Sequence, residues 1–164
     1  MRRISWAMTQ PGQVVKFRYK GQRPNAKSRL RECFILNTKH MYKRADGKRV
    51  RLVHAMQFNS IPPKKGTRNL QTNQISMILE GLTDDLLLLE GGEVEATVNE
   101  PPRVMYQKVE RVLKKIATPI YRTFSWHLLQ RSAVWVVNDL ELSPALQNKL
   151  ILSVPTPDVD EAEL

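Results

Sequence analysis

Val14-Val15-Lys16-Phe17-Arg18-Tyr19-Lys20 is the stretch from which the fold can be read. Val15, Phe17 and Tyr19 alternate with Lys16, Arg18 and Lys20. A period of two puts the first set on one side of an extended chain and the second on the other. The stretch therefore predicts a half-buried strand with a basic outer face. Pro11-Gly12 before it is a turn signal, and the run GQRPNAKS over 21–28 is a loop rich in turn formers. A second strand is expected over Leu30–Thr38, with Cys33-Phe34-Ile35-Leu36 as its buried part. Asp46-Gly47 is a hairpin dipeptide. A third strand then runs from Arg49 to Phe58, with Val50, Leu52, His54 and Met56 alternating with Arg49, Arg51 and Val53.

Farther along, the period changes. Ile75, Ile78, Leu79 and Leu82 fall at helical spacing, and Leu86–Leu89 after Asp84-Asp85 is either a short helix with acids in its first turn, the preferred reading, or a buried strand. Glu93–Val98 alternates, as a short strand or extended connector would. Pro101-Pro102 opens the clearest helix, whose stripe is Met105, Val109, Val112, Leu113 and Ile116. Tyr121–Phe124 reads as an extended piece, His127–Arg131 as a helical turn and Ala133–Leu140 as a strand. Ser143-Pro144 caps a last helix, Ala145–Leu152. The expected fold is α+β: a small basic SH3-like β-barrel or curled sheet, followed by a smaller helix-rich α/β part. The expected parts are a basic β-rich unit over 1–63, a helix-bearing linker over 64–100, a helix-strand assembly part over 101–154 and an acidic tail over 155–164.

Charge is the strongest functional signal. The net charge is +10, and it is unevenly spread. Residues 1–69 hold 18 of the 26 Lys and Arg residues and only two acids, Glu32 and Asp46. The remaining 95 residues hold eight bases against 14 acids. Cations packed this densely repel one another unless an anion relieves them. The out-facing phases of the strands bring Lys16, Arg18, Lys20, Arg49 and Arg51 onto one expected basic surface. Lys64, Lys65 and Arg68 extend it through a loop, and Tyr42, beside Lys43 and Arg44, is the expected surface aromatic. Cations that track phosphates, with an aromatic that stacks on bases, point to nucleic acid and to weak sequence selectivity. The acidic residues of the tail, from Asp158 to Glu163, are expected to compete for that face.

Catalytic chemistry is not legible. No two of His40, His54 and His127 have metal-ligand spacing, and His54 is expected to pack beneath the sheet. Cys33, the single cysteine, sits in an apolar run and reads as a core residue, so no disulfide is expected. Asp84-Asp85 and the pair Glu93 and Glu95 are the carboxylates a metal-dependent nuclease would need, but they lie outside the basic half. No phosphate-cradling glycine loop occurs. No catalytic residue, metal, cofactor or small-molecule substrate is expected. Uncharged apolar runs such as Leu86–Leu89 are far short of a membrane span, and no apolar leader follows Arg2 and Arg3. No membrane contact is therefore expected.

Pro11-Gly12, Phe17-Arg18-Tyr19-Lys20, Phe34-Ile35-Leu36-Asn37 and Leu52-Val53-His54-Ala55-Met56 together resemble the N-terminal unit of small tailed-bacteriophage virion proteins. These are the DNA end protector, neck and head-completion group. The helix Tyr106–Lys115 followed by Tyr121-Arg122-Thr123-Phe124 is similar to their later part. The resemblance implies a non-enzymatic structural protein in a larger assembly. Its partners would be DNA or other virion subunits, and its place the virion, or the host cytoplasm during assembly. A free nucleic-acid-binding regulator of phage replication or transcription is the alternative.

Overall fold

The computed structural model describes residues 1–59, 81, 102–115, 117–154, 159–161 and 164. Six strands form one sheet: β1 (Arg2–Ile4), β2 (Gln13–Tyr19), β3 (Arg29–Lys43), β4 (Arg49–Gln57), β5 (Ile120–Ser125) and β6 (Val134–Asp139). Their spatial order is β1-β6-β2-β3-β4-β5, and every pairing is antiparallel. The α-helices are α1 (Pro102–Leu113), α2 (Trp126–Leu129) and α3 (Pro144–Ser153), with one 3-10 turn at Trp6–Met8. The α+β class and the three basic N-terminal strands are as the sequence predicts. The sheet is open, and it is not confined to the N-terminal part: β6 inserts between β1 and β2, and β5 forms the far edge. The expected helices and strand over 70–98 lie, apart from Gly81, outside the described residues, as does the carboxylate pair Asp84-Asp85.

The turns form where the sequence provides them. Gly12 has φ +92, in the left-handed region, and a Cβ there would fall 2.7 Å from Leu142 Cδ1. Gly47, also at positive φ, lies in the β3–β4 turn, where Lys48 N–H donates to Asp46 Oδ1 at 3.0 Å. Ser143 caps α3 by accepting from the Leu146 N–H, and Pro144 stands just inside the helix.

Alternation gives the sheet two apolar faces. Val14, Phe34, Leu36 and Met56 form the first, covered by α1 through Met105, Val109 and Leu113 and by α3 through Leu146 and Leu150. Four of the five residues of the expected α1 stripe are buried as predicted; Ile116 lies outside the described residues. Val15, Phe17, Tyr19, Cys33, Ile35, Val53, Ala55, Val134 and Val136 form the second. Among the described residues no long helix covers this face; the sheet curls over it. Phe124 of β5 meets Phe17 and Tyr19 of β2 edge-on, with ring centroids 5.3 and 4.8 Å apart. Yet β3 and β4 stand between those strands, and in a flat sheet three spacings amount to about 14 Å. Trp6, Leu128 and Leu129 plug the same face.

His54 is one of two buried polar residues in β4, with Gln57. It is 1% exposed and hydrogen-bonds Tyr121 through Nδ1 and His40 through Nε2, the latter at 2.7 Å. Both rings are satisfied when Tyr121 O–H donates to Nδ1 and His54 Nε2–H donates to His40 Nδ1. Burial, with His40 adding to it, pushes the His54 pKa down to about 4.

Two outcomes check this packing. Phe124→Ala removes the ring that links β5 to β2 and should cost about 3–5 kcal/mol by denaturant melt, as aromatic core truncations do. His54 is neutral when folded, whereas the unfolded chain takes up its proton below about pH 6.5. Stability should therefore fall as pH drops from 6.5 through 4, by roughly 3 kcal/mol in all. His54→Gln should flatten that profile; an unchanged slope would assign it to other groups.

Candidate nucleic-acid interface

Lys16 and Arg18 share the Val14 phase of β2, so they lie on the helix-covered face. The helices cover only the Val14 half of it. Beyond them the face is open, and register places Lys16 between Glu32 of β3 and Trp135 of β6, with Arg18 beside Leu30. Lys16, Arg18, Leu30, Trp135 and Met1 line a largely apolar depression of about 400 Å³. Arg3 is the neighbour of Trp135 on β1. Glu32 pairs with Lys16 at 3.5 Å across the strands, both partners about one-third exposed. Arg18 is exposed.

A second depression of about 380 Å³ adjoins the first, and Ser132 lines both. The β2–β3 loop and the end of α2 build it, and it carries Lys20, Arg23 and Arg131. Together the two make a continuous basic surface with an apolar floor at Trp135. Spaced cations there can meet successive phosphates while the indole takes the apolar side of a base or sugar.

The structure divides the expected binding set. Lys16, Arg18 and Lys20 come together. Arg49 and Arg51 do not join them, because β4 presents Arg51 in the phase of Val53 and Ala55, on the opposite face. There the Arg51 guanidinium stacks 3.5 Å over the Trp126 ring, and its Nε–H donates to the Thr38 carbonyl at 2.7 Å. Arg49 shares that phase. The single five-residue surface is thus corrected: the alternation within each strand is right, but the phases of β2 and β4 face opposite ways. Lys64, Lys65 and Arg68 lie outside the described residues, as do Glu93 and Glu95.

Tyr42 is not an open stacking platform. Its hydroxyl donates to Glu161 Oε1 at 3.0 Å, and the Ala45 N–H donates to the same oxygen at 2.9 Å. The carboxylate bond, followed by burial, raises the phenol pKa. The adjacent Asp160 pairs with Arg23, which lines the second depression. Asp160 and Glu161 of the acidic tail therefore dock on the basic half.

Sequence reasoning missed Trp135, Arg23 and Arg131. The available signal was Trp135 itself, a large apolar residue in the phase opposite the buried Val134 and Val136. Arg131 joins only through tertiary structure. Among the described residues no three His, Cys, Asp or Glu side chains gather to hold a metal, and no helix is long and apolar enough to cross a membrane. Cys33 is fully buried, and burial pushes its thiol pKa up although Arg31 and Arg122 pull it down. No family model, curated protein or solved structure matches the chain.

Neutralising the tail tests its docking. In the double variant Asp160→Asn and Glu161→Gln, Tyr42 should titrate at lower pH by ultraviolet difference spectroscopy. Polyanion binding should tighten severalfold at low salt and converge with wild type at high salt, where screening removes the competition.

Proposed function

We propose that the chain is a non-enzymatic bacteriophage virion structural protein of the neck, head-completion or DNA-end type. Its basic face contacts DNA or an acidic neighbouring subunit. The supporting observation is the open half of the sheet face, where Lys16 and Arg18 stand around an apolar floor with Trp135 and the surface runs on into the groove of Lys20, Arg23 and Arg131. In a self-sufficient globular fold, a flat apolar strip between helices and edge is normally covered; here it is fringed with cations. Cations fix register on a phosphate backbone without reading sequence. That chemistry suits a component that must hold any DNA presented to it.

The curl that brings Phe124 onto Phe17 supports reading β2–β5 as an SH3-like partial barrel. On this reading the β2–β3 loop and the helical corner after β5 line the partner side. Helices α1 and α3 are the assembly part, and the contact surface lies beside them.

The test is fluorescence anisotropy on a duplex of about 30 base pairs over a salt series. Each neutralised phosphate contributes about −0.9 to the slope of log K against log salt, so about five to eight contacts give −4 to −7. Replacing Lys16, Arg18 and Lys20 by Ala should flatten the slope by roughly two to three units and weaken binding, with circular dichroism unchanged. Arg51→Ala should leave the slope alone. Absence of binding even at low salt would remove the DNA contact and leave an acidic protein as the partner of this face.

A further inference from the structure

The other face of the sheet holds a second group of cations. Register places Arg29 opposite Tyr19, Arg31 opposite Phe17 and Arg122 opposite Ala55, all in the phase of the concave core. Gln57 sits between them. It pairs with Cys33 on one side and Ile120 on the other, so Arg122 is its diagonal neighbour. Arg31 Nη1 donates to Gln57 Oε1 at 3.1 Å.

Among the described residues no carboxylate pairs with this cluster. Arg31 and Arg122 are half-buried, and the Nε of each is shut off from solvent with no hydrogen-bond partner among the described residues. Arg122 acts on Arg31 as a like charge, and so does Arg29. Burial, ahead of these repulsions, lowers the Arg31 pKa. Gln57 supplies one neutral oxygen to one of the guanidiniums. Two partly desolvated cations that repel one another are costly unless something negative sits between them. By contrast Arg23, Arg44 and Lys16 each have a carboxylate partner, so the chain supplies acids to its cations elsewhere.

We propose that Arg31 and Arg122, with Arg29 at the rim, form a binding site for a tetrahedral oxyanion of the phosphate class. Guanidinium forks present paired N–H donors that match phosphate oxygens, and a doubly charged anion between two of them relieves their mutual repulsion. The phosphate is either free in solution or part of a nucleic-acid backbone. The site stands on the face away from Lys16 and Arg18, so it does not depend on the interface assigned above.

The experiment is thermal unfolding of the full chain with inorganic phosphate, at ionic strength held constant with chloride. Wild type should show a saturable rise in melting temperature, and Arg111→Gln, on the exposed side of α1 and outside both surfaces, should match it. Arg122→Gln and Arg31→Gln should each lose the response, and Arg122→Lys, which keeps the charge without the fork, should retain a weakened one. Because Arg122→Gln also removes a repulsion, it should melt no lower than wild type in chloride alone, so a lost response is not a folding defect. Phosphorus NMR line broadening gives a second readout, present in wild type and absent in Arg122→Gln. An equal phosphate response in wild type and Arg122→Gln, or none in wild type, overturns the site. A competition arm identifies the source. Displacement of duplex DNA by phosphate, together with weaker duplex binding by Arg122→Gln, assigns the site to a backbone phosphate. Duplex binding indifferent to both assigns it to the free ion.

Discussion

The edge-on packing of Phe124 against Phe17 and Tyr19 is the contact on which the rest of this structure depends. It joins strands that are three places apart in the sheet, and it holds only if the intervening strands bend. Trp6 adds a second ring partner to Phe17 at 5.0 Å, and its indole N–H donates to the Ser132 carbonyl at 2.8 Å, tying the N-terminal arm to the start of β6. Tyr19 completes the join by accepting from the Ser125 N–H. Among the described residues the concave face is thereby buried with only the short α2 against it, and α1 and α3 pack on the other face.

The bend is concentrated in β3. Its fifteen residues would span roughly 50 Å if straight. The neighbouring Asp160 and Glu161 nevertheless reach Arg23 before its start and Tyr42 and Ala45 at its end. The register against β4 shifts between Ile35 and Asn37 and again between Asn37 and His40, where extra residues let the strand turn. The same bend carries His40 over His54, so the one buried histidine of β4 finds its partner there. Curvature, the tail's docking place and the satisfaction of a buried ring are consequences of one constraint.

The curl also decides what the cations do. Lysines and arginines close together in sequence are separated onto surfaces with different neighbours. Lys16 and Arg18 flank Trp135 in the open half of the helix face. Arg51 is used up on Trp126 and the Thr38 carbonyl. Arg31 and Arg122, 91 positions apart, meet beside Gln57. The basic half is thus several surfaces, each with its own chemistry.

Local patterns in the sequence determined the elements. Period-two alternation located β2 and β4, Asp46-Gly47 the hairpin between β3 and β4, the Met105–Leu113 stripe α1, and Ser143-Pro144 the start of α3. Those signals are local because strand alternation, turn backbone and helix caps involve residues within a few positions of one another. The sequence also determined that the charge is segregated. Only the tertiary structure decided which strands are neighbours, since β6 enters between β1 and β2 through backbone pairing that any extended segment can offer. It decided as well that β2 and β4 turn their basic phases to opposite sides. Alternation specifies that two sets of side chains face apart within a strand, but which set meets the core is settled by what packs there. In β2 both answers occur along one phase: Val14 lies under α1 and α3, and Arg18, four residues on, is past the helices and exposed to solvent.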